Sequence, residues 1–276
     1  MIKRILVGLA GTHYTPVAIE QSLCLAKVHN AELTGVTVLD PRRDRDLAGV
    51  VPPPWIDVEQ VRSQREAVTK SRILESVRAF EEACAAAGVK HHVMEERGDP
   101  FTCLADMARY HDLVVFGVRS VFEFDFYGAA PESTIMQLVT AGVRPLIAVA
   151  REPRTISRVL IAYNGSVESS QAMKRFVQLG LYPAAELKIV TFHPSDDQAY
   201  ELMRPAEEYC RSHGYRVCHE SNPGDPKVLL LAAASLWKAD LIVMGNSARN
   251  ILVRCLLGDT LVSTLRETNI PLFLAQ

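Results

Sequence analysis

The sequence predicts two tandem α/β domains, each an open, mostly parallel five-stranded sheet with helices on both faces. Three observations carry this. Short β-branched runs alternate with stretches of helical period along the whole chain. The strands read as continuous apolar runs, as a sheet covered on both faces requires. The chain also repeats itself, with four segments recurring in the same order. Lys3-Arg4-Ile5-Leu6-Val7-Gly8-Leu9-Ala10-Gly11-Thr12 returns as Ser157-Arg158-Val159-Leu160-Ile161-Ala162-Tyr163-Asn164-Gly165-Ser166. Gly98-Asp99-Pro100 returns as Gly224-Asp225-Pro226, and Asp112–Gly117 returns as Asp240–Gly245. Arg144–Val149 returns as Ile270–Ala275. The domains are therefore 1–150 and 151–276, with a polar linker at about Arg151–Thr155 that contains Pro153.

In the first half, residues 4–9 form the first strand, bounded by Gly11-Thr12. Val17, Ile19, Leu23, Leu25 and Ala26 sit at helical spacing in 15–29, and Asn30 closes that helix. Strand two is 32–39. A long helix over about 66–87 ends at Gly88, and strand three lies near 90–95. Gly98-Asp99-Pro100 opens the next helix, with Asp as cap and Pro at the first helical position. Strand four is Leu113–Phe116, and a final helix leads to the strand Leu146–Val149. The second half repeats this order. Its strands are 158–163, 186–192, 215–219, 241–244 and 272–275, and its helices are 167–180, 198–213, 226–237 and 259–267.

The halves differ in one place. Gly11 and Gly165 are 154 residues apart, but Gly88 and Gly214 only 126, so the first half holds 28 extra residues. The insert is about Pro41–Ser71, with Arg42-Arg43-Asp44-Arg45-Asp46 and Pro52-Pro53-Pro54-Trp55. It reads equally as a lid or contact surface and as a solvated loop with an extended helix. Trp55 is its residue best suited to pack on something.

Composition is that of a globular chain, 48% hydrophobic and 22% charged, with a net charge of −2. That balance gives no footprint for nucleic acid or an acidic membrane surface. No apolar stretch approaches the roughly 20 residues of a membrane span. Met1-Ile2-Lys3-Arg4 resembles the opening of a signal peptide, but the apolar run stops at Gly11 with no cleavage pattern, so a first strand and a cytoplasmic location are expected. The six cysteines (Cys24, Cys84, Cys103, Cys210, Cys218, Cys255) form no C-x-x-C pair and are expected as buried free thiols. His91 and His92, adjacent in a strand, point to opposite faces and cannot easily share a metal.

Met244-Gly245-Asn246-Ser247-Ala248, then Gly258-Asp259-Thr260, then Ile270-Pro271-Leu272, resemble the universal stress protein family, as do the opening strands ending in Gly-Thr and Gly-Ser. The resemblance covers almost the whole chain as two tandem domains. It implies a Rossmann-like fold of the adenine-nucleotide-binding α/β group, with the terminal strands pairing across a two-fold into a pseudo-dimer of the halves. It also implies ATP or another adenine nucleotide, with Mg²⁺, where a ligand binds. Family members that bind ATP have Gly-x-x-Gly, nine residues, then Gly-Ser or Gly-Thr, with an aspartate after strand one. Glycines there let backbone approach phosphate, and the last helix offers free amides and the positive end of its dipole.

This chain departs from that pattern. In the second half, Gly245 and Gly258 match, Ala248 replaces the second glycine, Asp259 replaces Ser or Thr, and Asn164 replaces the aspartate. In the first half, Gly117 matches, Ser120 replaces the second glycine, Glu132 (followed by Ser133) stands opposite Gly258, and Ala10 occupies the aspartate position. Asp259 weighs most. A carboxylate about 4 Å from phosphate costs roughly 4 kcal/mol per like-charge pair at an effective dielectric near 20, against about 8 kcal/mol for micromolar affinity.

Two functions follow. One is a non-catalytic stress-response protein acting through association, with degenerate nucleotide sites. The other is an adenine-nucleotide sensor using the second half, with Asn164, Val190, Met244, Gly245, Ala248, Gly258, Asp259 and Thr260 at the pocket. Val190 and Met244 would then form the apolar wall for the base. An enzyme of the wider adenine-binding group is a third reading, but the sequence has no G-x-S-x-G, no P-loop and no repeated His-Asp arrangement at the strand ends. Partners expected are the other half of the chain, a second copy, and a protein the sequence does not specify.

Overall fold

The computed structural model describes residues 2–39, 58–117, 143, 145–245, 264 and 268–275. In chain order the elements are β1 (Arg4–Gly8), α1 (Thr15–His29), β2 (Glu32–Leu39), α2 (Val58–Ala87), β3 (His91–Arg97), α3 (Pro100–Ala108), β4 (Leu113–Gly117) and β5 (Leu146–Val149). Then come β6 (Arg158–Ala162), α4 (Val167–Leu179), β7 (Glu186–Thr191), α5 (Asp196–Ser212), β8 (Arg216–Ser221), α6 (Pro226–Trp237), β9 (Leu241–Gly245) and β10 (Leu272–Ala275). The expected helices over 259–267 and before β5 fall on residues outside the described set, apart from Thr264, which is helical.

The two five-stranded halves are not separate sheets. They join into one ten-stranded sheet of order β3-β2-β1-β4-β5-β10-β9-β6-β7-β8. Every pairing is parallel except that of β5 with β10, which is antiparallel. Its register sets Leu272 against Ala148, Phe273 against Ile147, and Leu274 against Leu146. Ile147 and Phe273 hold equivalent places in the repeat, so the seam is a pseudo-two-fold. Two short apolar edges, each needing partners for its backbone groups, satisfy one another.

The pleat sends alternate residues into two cores, one on each side of the sheet. Ile5, Val7, Phe80, Ile147, Phe176 and Phe273 belong to one, beneath α1, α2, α4 and α5. Leu6, Val36, Leu104, Phe116, Leu230 and Leu274 belong to the other, beneath α3 and α6. Each core runs across the seam from one half into the other. The ring of Phe273 meets Phe176 edge-on at 5.4 Å.

The repeated segments have repeated duties. Asp99 caps α3 by accepting from Thr102 N, and Asp225 caps α6 by accepting from Lys227 N. The Asp112 carboxylate accepts the backbone N–H groups of Lys3 and Arg4 at 2.7 and 3.0 Å. That of Asp240 accepts those of Ser157 and Arg158 at 2.9 Å each, with the Ser157 hydroxyl at 2.9 Å. Each aspartate thus fixes the start of the first strand of its half. Asn30 closes α1 in the left-handed region, at φ 51.

The insert departs from the expected helix start at about 66. Helix α2 begins at Val58 and runs 30 residues, about 45 Å. Its counterpart α5 has 17. Residues 58–71 contain no Gly or Pro and are rich in Glu, Gln and Arg, so the helix continues without an apolar stripe to mark it. Trp55 and the proline run lie outside the described residues.

Candidate functional site

In an open parallel sheet the crevice at the carboxyl ends of the strands is where ligands sit. In the second half, the turn after β6 is closely knit. Gly165 takes φ 75, and a Cβ there would collide with the Leu202 side chain of α5. Asn164 is exposed, and its Oδ1 accepts the Ser166 N–H at 3.1 Å. Ser166 caps α4 by accepting from Ser169 N at 3.1 Å, and the Ser169 hydroxyl donates back to Ser166 O at 3.0 Å. Tyr163 extends the strand ladder by donating its N–H to Val190 O at 2.9 Å.

Of the residues expected at this pocket, Asn164, Val190, Met244 and Gly245 are described, whereas Ala248, Gly258, Asp259 and Thr260 lie outside the described residues. Asn164 and Gly245 both stand at the carboxyl ends of central strands. Val190 is fully buried and Met244 is 5% exposed, both within the core beneath α6. Gly245 has a neighbour that the sequence did not reveal. A Cβ there would strike the backbone of Glu168 and Ser169 in the first turn of α4. The close approach this glycine permits is between strand and helix.

Met244 also has a counterpart. Gly8 and Phe116 are in line across β1 and β4, and a Cβ on Gly8 would run into the Phe116 ring. The repeat replaces this pair with Ala162 and Met244. A bare backbone under a flat ring becomes a methyl beside a flexible thioether, so the two positions compensate in volume.

In the first half, the equivalent turn lies against helix backbone rather than the end of a side chain. Ala10 is 4% exposed and offers no polar group. Gly11, at φ 70, lies against α2, with a notional Cβ 3.0 Å from Arg72 Cβ, 3.2 Å from Arg72 C and 3.3 Å from Ile73 N. Helix α2 therefore crosses directly over the β1–α1 turn, and residues 58–71 continue beyond it. Thr12 and Thr15 bond to each other locally, Thr12 N donating to Thr15 Oγ1 at 3.1 Å. Ser120, Glu132 and Ser133 lie outside the described residues. Sequence reading missed Arg72 and Leu202. Both lie on the helix after strand two, Arg72 midway along α2 and Leu202 in the second turn of α5, and no spacing in the sequence marks them.

A polar bridge crosses from one half to the other beside the linker. Gln21 of α1 donates its amide to Arg154 O at 2.5 Å, and its Oε1 accepts the Tyr182 hydroxyl at 3.3 Å. Burial pushes the Tyr182 phenol well above its ordinary pKa.

The cysteines differ in part from expectation. Cys84 and Cys210 are buried, and desolvation lifts their thiols to about 11 and about 12. Cys24 is exposed, however, Cys103 and Cys218 are half-buried, and Cys255 lies outside the described residues. His91 and His92 face opposite ways. His91 meets Phe80 edge-on, while His92 Nδ1 is 3.2 Å from Glu32. Among the described residues, no group of three or more His, Cys, Asp or Glu is placed to hold a metal, and no helix is long and apolar enough to cross a membrane.

The model of the universal stress protein family matches residues 1–123 and 155–276. Universal stress protein Slr1230 of Synechocystis sp. is 26% identical over 191 residues, covering 67% of this chain and 65% of that protein. The matched stretch thus spans less than two thirds of that relative's length. Among solved structures, a universal stress protein from Archaeoglobus fulgidus superposes with TM-score 0.70 at 20% identity, covering 99% of this chain and 98% of the other. A functionally unknown protein from Pseudomonas aeruginosa PAO1 superposes with TM-score 0.59 at 15% identity, covering 99% and 92%. The repeat, the pseudo-two-fold seam and the two family matches agree: the chain belongs to the universal stress protein family and carries two of its domains in tandem.

Proposed function

We propose that this chain is a non-catalytic stress-response protein of the cytoplasm that acts through association, with both nucleotide sites degenerate. The observation that carries the reading is the first-half turn. A buried Ala10 stands where a nucleoside contact needs a carboxylate, and the backbone of α2 lies against Gly11 beside it. In the second half, Asp259 puts a carboxylate where the family pattern has a phosphate contact. A carboxylate at a helix start caps the amides that phosphate would use and repels phosphate. The seam of β5 with β10 provides one association within the chain. A second copy and a separate protein are the further partners proposed.

A second reading has its own support. Asn164 is exposed at the carboxyl edge, its backbone N–H donating to Ser169 Oγ and its side-chain Oδ1 accepting from Ser166 N. Its amide N–H groups could meet a ribose or base, making the second half an adenine-nucleotide sensor in which Mg²⁺ bridges Asp259 and the phosphates. Native mass spectrometry of freshly purified protein separates the two. Chains free of nucleotide are expected. One adenine nucleotide per chain would overturn the first reading in favour of the second.

A further inference from the structure

We propose that the first half carries a separate binding site for a compact multivalent anion, at the amino-terminal edge of the sheet. This is the opposite edge from the nucleotide crevice. A cavity of about 600 Å³ opens there, lined by Lys3, Arg4, Lys27, Asn30, Glu32 and Lys90 together with small residues of the α1 and α2 ends. The volume suits a small molecule.

Its charge is unbalanced. Glu32 is the sole carboxylate of the lining and is already engaged, Oε2 with Lys90 at 3.0 Å and Oε1 with His92 at 3.2 Å. The side chains of Lys3, Arg4 and Lys27 meet no carboxylate among the described residues. The carbonyl ends of α1 and α2 also face this edge, and each contributes roughly half a negative charge. Asp112, whose carboxylate accepts the Lys3 and Arg4 backbone N–H groups, also borders the cavity, so four cations against two carboxylates and two such helix ends leave about one positive charge. Neutralising the helix ends therefore accounts for only part of the basic lining.

The second half keeps Arg158, Glu186 and Arg216 at the places of Arg4, Glu32 and Lys90 but differs elsewhere at this edge. Asn30, held at φ 51, ends α1 two residues before β2, whereas Gly180 ends α4 six residues before β7. The second half places the buried Leu181 in that longer connection. It also has Ser157 for Lys3 and Val177 for Lys27. The cavity lining has no aromatic residue, so nothing is offered to a nucleobase. The ligand this favours is a polyanion without a base, such as a pyrophosphate or a tricarboxylate.

The test uses the full chain with inorganic pyrophosphate and with citrate, by calorimetry at about 150 mM salt. Amide chemical shifts at Asn30 and Gly88 give an independent readout of place. Saturable one-to-one binding of at least one anion is expected, weakened about tenfold or more in Lys3→Gln/Lys27→Gln and unchanged in Lys174→Gln, which alters charge elsewhere. Preference for pyrophosphate or for citrate assigns the phosphoryl or the carboxylate source. Both lysines are exposed, so the variant should keep the wild-type unfolding transition. Absence of saturable binding up to about 10 mM of either anion, or binding indifferent to both lysines, overturns the proposal. Anion held at the opposite crevice would ignore these lysines, so the two sites fail separately.

Discussion

Gly8→Ala tests whether the two halves solve the same packing problem with exchanged volumes. The added Cβ would overlap the Phe116 ring, which is 1% exposed and cannot swing into solvent. Overpacking of this kind costs about 1–3 kcal/mol. In a chain of this size that lowers the melting temperature by roughly 2–4 °C per kcal/mol, or about 2–12 °C in all. Phe116→Met alone should cost less, because a flexible side chain fills part of the ring's space. The double variant Gly8→Ala/Phe116→Met installs the pair that the second half uses, Ala162 with Met244. It should recover at least 1 kcal/mol relative to the sum of the single changes, on the scale of couplings between touching residues. Calorimetric melting of all four proteins measures this. A neutral Gly8→Ala, or additive single effects, would refute the reasoning.

Other outcomes follow from single contacts. Asp240→Ala removes the acceptor for two backbone N–H groups and one hydroxyl and should cost about 2–3 kcal/mol in urea unfolding; a loss below about 0.5 kcal/mol would contradict the strand-start role. The Glu220 carboxyl is held below its ordinary 4.5 mainly by the hydrogen bond from Lys188, at 2.6 Å. Its stabilisation is therefore present above pH 4.5 and lost as pH falls through the lowered value. Glu220→Gln should be less stable than wild type at pH 7, with the gap closing below pH 4.5. His111 is held below its ordinary 6.5 chiefly by burial, with Arg4 and His92 also disfavouring its charge and the Met107 carbonyl and Asp112 favouring it. The folded protein then binds fewer protons than the unfolded chain just below pH 6.5, so stability falls as pH drops there. His111→Gln should flatten that slope in a pH series of melting temperatures, and an unchanged slope would remove His111 as its source.

The strands and the doubling were legible because their signals are local. Leu113–Phe116 and Leu241–Met244 are apolar runs with nowhere to go but a buried parallel strand. Asp112 and Asp240 were visible as a repeat, but not as acceptors for the first strand, since that contact joins residues about one domain-length apart. The terminal strands were legible as edges in need of cover. Their antiparallel register, centred on Ile147 and Phe273, depends on a symmetry that only the assembled fold supplies. The start of α2 was missed because exposed helix needs no apolar stripe, so periodicity is silent there. At the candidate site, Asn164 and Gly245 could be placed from the repeat alone. The crossing of Arg72 over Gly11, and of Gly245 over Glu168, is set by how helices pack on the sheet, which no spacing in the sequence encodes.

The central claim is that the nucleotide pattern has lapsed while the paired scaffold has been kept. Calorimetric titration of the intact chain with ATP and Mg²⁺, beside Asp259→Ser, tests it most directly. The account predicts binding weaker than about 1 mM in the wild-type chain, with measurable tightening once the carboxylate at 259 is removed. Micromolar one-to-one binding by the wild-type chain, unchanged in Asp259→Ser, would contradict it.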